Sequence, residues 1–130
     1  MATAWAVMQH LGIDGYVELT RVALDNADEM RAGIAAIDGV RVLGDSRYHL
    51  IAMTNDPDDA HPIDMFALGD ALAARGWFHD RQTPPDSLHS TVSNTNTGVI
   101  GDYLEALDSC VTDVRGQRSD DRSTNYATLE

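Results

Sequence analysis

The chain has 130 residues and a formal net charge of −12, from 21 acidic and nine basic side chains. That length suits one domain with its own core, and an apolar share of 43% argues against disorder throughout. The negative field argues against nucleic-acid and anionic-lipid recognition, and no apolar run approaches the roughly 20 residues that cross a bilayer.

Residues 3–11 (TAWAVMQHL) are helix-prone and almost wholly apolar, with Gly12 able to end the helix in a left-handed conformation. Without a basic stretch before them or a cleavage site after them, they do not read as a signal peptide. So short an apolar helix does not persist alone in water. It is expected to pack on a larger body or a partner, and residues 1–13 are set apart on that ground.

Asp14 is a predicted cap for a second helix starting at Gly15 or Tyr16. From there Tyr16, Leu19, Ala23, Ala27, Met30, Ile34 and Ile37 recur at helical spacing, opposite an acidic face. Asp38-Gly39 breaks the pattern. Val40–Leu43 and Tyr48–Met53 then read as two antiparallel strands, the second apolar enough to lie centrally. Pro62 is expected in the first turn of a helix with Asp64 near its positive end, and Arg75-Gly76 stops it. Trp77–Arg81 and Leu88–Ser93 are the next strand candidates, separated by the stiff Pro84-Pro85 loop. A last helix carries Ile100, Tyr103, Leu104, Leu107, Val111 and Val114. Residues 14–115 thus predict an α+β domain. Its small antiparallel or mixed four-stranded sheet has helices on one face, leaving the other free to meet a larger body. Residues 116–130 have few apolar anchors and are expected to form a flexible tail.

Sites are harder to find. No phosphate-loop glycine pattern, zinc-protease motif or nucleophile elbow occurs. The five histidines show no metal-ligand spacing with each other or with Cys110. Cys110 itself reads as a small buried helix residue, and a lone cysteine suits a reducing, cytoplasmic setting. His79 and His89 fall on successive strands, so their rings approach one another if the strands pair. Asp80, Arg81 and His89 are expected to form a polar cluster at a sheet edge, where an arginine can dock a carboxylate or phosphate. The plainer alternative for all of them is ordinary packing and surface ion pairing. Residue chemistry alone yields no self-contained active site.

Several stretches nevertheless resemble a known family. They are Trp5-Ala6 through His10 with Gly12, Gly15–Arg21, Ile37–Gly44, Leu72–Trp77 and Pro84–His89. Together they resemble the small C-terminal domain of sphingosine-1-phosphate lyase and its group of fold-type I pyridoxal-phosphate (PLP) lyases and decarboxylases. The resemblance spans roughly residues 1–115. It implies a PLP-binding large domain or companion polypeptide, a homodimer, and carbon–carbon cleavage or decarboxylation of an amino substrate. The cofactor lysine, the aspartate on its ring nitrogen and the stacking histidine all precede the matched region in that family, so none is placed here. Every basic side chain of this chain is arginine and none is lysine. PLP needs an amine for its Schiff base, so no cofactor is expected on this chain alone. His89, Arg81 and His79 remain candidates for the substrate side. The alternatives are a stand-alone interaction or dimerisation domain and, less favoured, a small enzyme using His79 and His89 as acid and base.

Overall fold

The computed structural model describes residues 2–45 and 47–127. Helix α1 (Ala2–Ala35) comprises two helical stretches joined at Gly12, where φ 60° and ψ −174° interrupt the helix. Only glycine adopts that geometry without strain, and this agrees with the break expected from sequence. The second stretch resumes at once, so Asp14 lies inside helical backbone and caps nothing. Of the predicted stripe, Ala27, Met30 and Ile34 are buried, whereas Tyr16 remains 43% exposed. The N-terminal part of α1 therefore projects beyond the core that its C-terminal part helps to build.

Gly39 (φ 100°) makes the turn into β1 (Val40–Val42). A Cβ there would fall within 3 Å of Ile63, Asp59 and Arg115 atoms, so space and backbone angle both call for glycine. β2 (Leu50–Asn55) pairs antiparallel with β1 and, on its other side, with β4 (Ser87–Thr91). β3 (Asp80–Thr83) pairs antiparallel with β4. The order is β1-β2-β4-β3-β5, where β5 (Tyr126–Ala127) adds a short parallel edge beside β3. β2 is central, as its apolar run suggested, and Ile51 and Met53 are almost fully buried.

Alternation along the strands separates two faces. Val42, Met53, Leu88 and Arg81 lie in register on the inner face, and Ala52, His89 and Asp80 on the outer. Helices α2 (Met65–Ala74) and α3 (Ile100–Asp113) join α1 over the inner face, giving the expected α+β architecture. Phe66, Leu68, Leu72, Leu107 and Val111 pack there against Ile34, Ile51, Met53 and Leu88. Asp64 caps α2, its Oδ1 accepting from the backbone N–H groups of Phe66 (2.9 Å) and Ala67 (3.1 Å). Pro62 therefore precedes the helix instead of occupying its first turn. α1 and α3 meet closely at Gly33, where a Cβ would overlap the Leu104 side chain at 2.2 Å.

Residues 116–125 turn back over the domain. Ser119, 7% exposed, donates to Asp70 Oδ2 at 2.6 Å, and Asn125 accepts from and donates to the Arg81 backbone. Arg122 grips both Asp64 oxygens at 2.8 and 2.7 Å and reaches Asp86. The contacts of residues 116–125 are polar, a mode of anchoring that counting apolar residues overlooks, and residues 128–130 of the expected tail lie outside the described residues.

Candidate functional site

β3 and β4 pair as expected, but their register separates the candidate residues. Asp80 faces His89 across the ladder, so the residue before Asp80 belongs to the opposite side. His79 turns inward, its Nε2 3.0 Å from the Tyr103 hydroxyl on α3. His89 stays outside, its ring 5.8 Å from that of Tyr126. The two histidines border the same cleft from different faces and do not form the close pair considered from sequence.

The expected Asp80–Arg81–His89 cluster divides in the same way. Arg81 points inward, with a side chain only 14% exposed. It binds Asp70 and the Asp121 carbonyl, and its guanidinium lies 5.3 Å from the Phe66 ring centroid. Arg122 lies over the same ring at 4.2 Å. These two arginines tie β3, α2 and the C-terminal segment together. Asp80 and His89 remain on the outer face, with Tyr126 donating to Asp80 Oδ2 at 3.3 Å.

The cleft, about 330 Å³, opens where β4 continues past the last β3 pair. Trp77, His79, Tyr103, Asn96, Asp80 and His89 contribute to its walls. Burial lowers the His79 pKa, only partly opposed by the Trp77 backbone and the Asp80 charge. Its ring is therefore held neutral at pH 7. Burial likewise raises the Tyr103 pKa, so its hydroxyl stays protonated. An Nε2–H on His79 can donate to the Tyr103 oxygen while the Tyr103 hydroxyl donates to Met53 Sδ at 3.9 Å. His79 Nδ1 is buried and makes no hydrogen bond of regular geometry; the Trp77 backbone lies close enough only to favour the charged ring weakly. The Trp77 ring packs edge-on against Tyr103 at 5.4 Å. This arrangement braces β3 against α3.

Three comparisons bear on the family. No family model matches the chain. The sphingosine-1-phosphate lyase of Oryza sativa subsp. japonica is 30% identical over 115 residues, which cover 88% of this chain and 20% of the rice protein. The Burkholderia pseudomallei sphingosine-1-phosphate lyase superposes with a TM-score of 0.77 at 29% identity, over 86% of this chain and 25% of that one. This chain is a homologue of sphingosine-1-phosphate lyases. The Lactobacillus brevis glutamate decarboxylase shares the fold, with a TM-score of 0.76 at 18% identity over 85% of this chain and 27% of that chain. Its structural relatives are PLP-dependent enzymes of fold type I. The chain spans about a fifth of the length of the lyases it matches.

The lyase relationship raises the question of whether these residues can seat PLP. They do not fit it. The Schiff base needs a primary amine on a side chain, and the chain has no lysine. Arg81, Arg115 and Arg122 are committed to Asp70, to Asp59, and to Asp64 with Asp86, so none of these three is free to take the phosphate. No step of the cofactor's chemistry is assigned to this chain. Among the described residues, no helix is long and apolar enough to cross a membrane.

Proposed function

We propose that the chain is the small C-terminal domain of a PLP-dependent lyase that cleaves a carbon–carbon bond, and that it is non-catalytic by itself. The observation that carries this reading is the pairing of homology to sphingosine-1-phosphate lyases with the absence of lysine. A phosphorylated long-chain amine is the proposed substrate of the whole enzyme, by analogy with the relatives' names. An amino-acid decarboxylase is the neighbouring option. The whole enzyme is proposed to be a cytoplasmic homodimer in which a larger PLP-binding body carries the lysine.

In this arrangement residues 1–13 pack on the larger body. Trp5, Val7, Met8 and Ile13 are 63%, 44%, 49% and 83% exposed, which favours a surface meant to be covered. The same exposure favours the second reading, a stand-alone interaction or dimerisation domain. Of the three substrate-side candidates, His89 is the one proposed to face the larger body. Arg81 and His79 act through the packing of β3.

Mixing the purified chain with PLP and reducing with borohydride tests the reading. No stoichiometric pyridoxyl adduct on the chain is expected, and no turnover of a phosphorylated amino alcohol. Efficient turnover by this polypeptide alone would refute it. A monomer–dimer equilibrium with no affinity for any PLP-bearing polypeptide would favour the interaction-domain reading instead.

A further inference from the structure

Residues 116–127 run back along the domain as a strap that touches both faces of the sheet. Of residues 116–126 only Ser119 is buried, so no apolar side chain among them enters the core. Beside α2, Ser119 donates to Asp70 at 2.6 Å, while Arg122 lies over the Phe66 ring and grips Asp64 and Asp86. Further on, Asn125 engages both backbone groups of Arg81. Its N–H donates to the Arg81 carbonyl at 2.8 Å, and its Oδ1 accepts from the Arg81 amide at 2.9 Å. β5 then covers the edge of β3. The strap reaches the outer face at Tyr126, whose hydroxyl donates to Asp80 Oδ2 at 3.3 Å and whose ring stands edge-on to His89.

A segment without apolar burial opens at a smaller free energy than the domain it rests on, because polar contacts at a surface are exchanged for water. Arg122 pins this one. A single guanidinium joins Asp64, the cap of α2, to Asp86 in the β3–β4 connection. Only Ser123, Thr124 and Asn125 separate it from Tyr126. The parallel edge beyond is two residues long, too short to persist without that anchor. We propose that residues 116–127 are a detachable strap with Arg122 as its latch. Opening the latch withdraws Tyr126 from Asp80 and His89 and bares the β3 edge, while the rest of the domain stays folded. A contact on the helix side thus governs which groups the open face presents. The device is independent of the function proposed above.

Amide hydrogen exchange, followed by NMR on the full chain, tests the strap. The Arg81 backbone turns towards Asn125, so that of Gln82, the next residue, turns to β4. The Arg81 and Asn125 amides therefore report the strap, and the Gln82 amide reports the sheet. Arg122→Ala should speed exchange at Arg81 and Asn125 about tenfold or more and leave Gln82 and Leu107 within about twofold. It should also shift the ring-proton signals of His89, which lose a neighbouring aromatic ring. Arg122→Lys, which keeps the charge but not the fork, should fall between the two. Arg118→Ala should change none of these signals, because that side chain is 82% exposed and approaches Asp64 only to 4.0 Å. Unchanged exchange at Arg81 and Asn125 in Arg122→Ala would overturn the latch. Equal acceleration at Gln82 and Leu107 would overturn detachment, since the whole domain would then be opening. Faster exchange at Arg81 with the His89 signals unmoved would overturn the link to the open face. If Arg122→Ala does not fold, raising the salt concentration on the unaltered chain weakens the same ion pairs and reads the same signals, with the same expected and contrary outcomes.

Discussion

His79 shows how one buried ring links the pH of the solution to packing. Its folded pKa lies below the unfolded value of about 6.5, chiefly because burial penalises the charged ring. The unfolded chain therefore binds more protons in mild acid, and stability must rise with pH in that range. This contribution is complete above about pH 6.5 and is lost as pH falls towards the depressed folded value. Urea midpoints between pH 8 and 5 should decline, and His79→Gln should flatten the decline. Asp64 acts in a lower window. Burial tends to raise its pKa, but the Ala67 and Phe66 amides and the Arg122 guanidinium outweigh it and hold the pKa below the usual carboxylate range. Its stabilising effect is present above about pH 4 and disappears as that carboxylate protonates. Asp64→Ala also removes the α2 cap and should cost about 0.5–2 kcal/mol, measured by thermal or urea unfolding.

At the scale of elements, sequence periodicity gave good access to those that bury apolar stripes. The α1 stripe from Ala27 to Ile34, central β2 and helix α3 all follow it. Register was less legible, because shifting a strand by one residue exchanges its two faces without altering its composition. That is why His79 and His89, adjacent in the predicted hairpin, finish on opposite sides. Gly33 is another feature visible only once α1 and α3 are packed. Gly33→Ala forces a methyl group into the Leu104 side chain and should destabilise the domain by about 1–3 kcal/mol unless Leu104 changes rotamer. Leu107→Ala leaves a cavity at a fully buried position and should cost about 2–5 kcal/mol. Urea denaturation at pH 7 measures both, and each variant should retain a cooperative transition.

At the scale of the molecule, the core is gathered under the helices and the apolar exposure is concentrated elsewhere. The opening stretch of α1 adds little to that core, since residues 3–10 are all exposed. Deleting residues 1–11 should therefore change the unfolding free energy by no more than about 1 kcal/mol while lowering binding of a hydrophobic dye. A large loss of stability would show that the stretch belongs to the domain's own core. The C-terminal segment behaves in the opposite way. Arg122→Ala should release it and cost about 1 kcal/mol, discounted for the exposure of that arginine. Earlier proteolytic cleavage within residues 116–125 would report the release directly.

The sequence by itself determined the α+β class, the central strand and the glycine breaks, because these depend on local spacing and backbone freedom. It also determined that no side-chain amine can tether PLP, because that depends only on which residues the chain contains. The tertiary structure alone decided which candidates meet. Arg81 was drawn under the helices to Asp70 and Phe66, the supposed tail was tied by Arg122 and Ser119, and Asp80 was left beside His89 on the open face. Such choices depend on strand register and on polar contacts between residues far apart in the chain, neither of which local periodicity encodes.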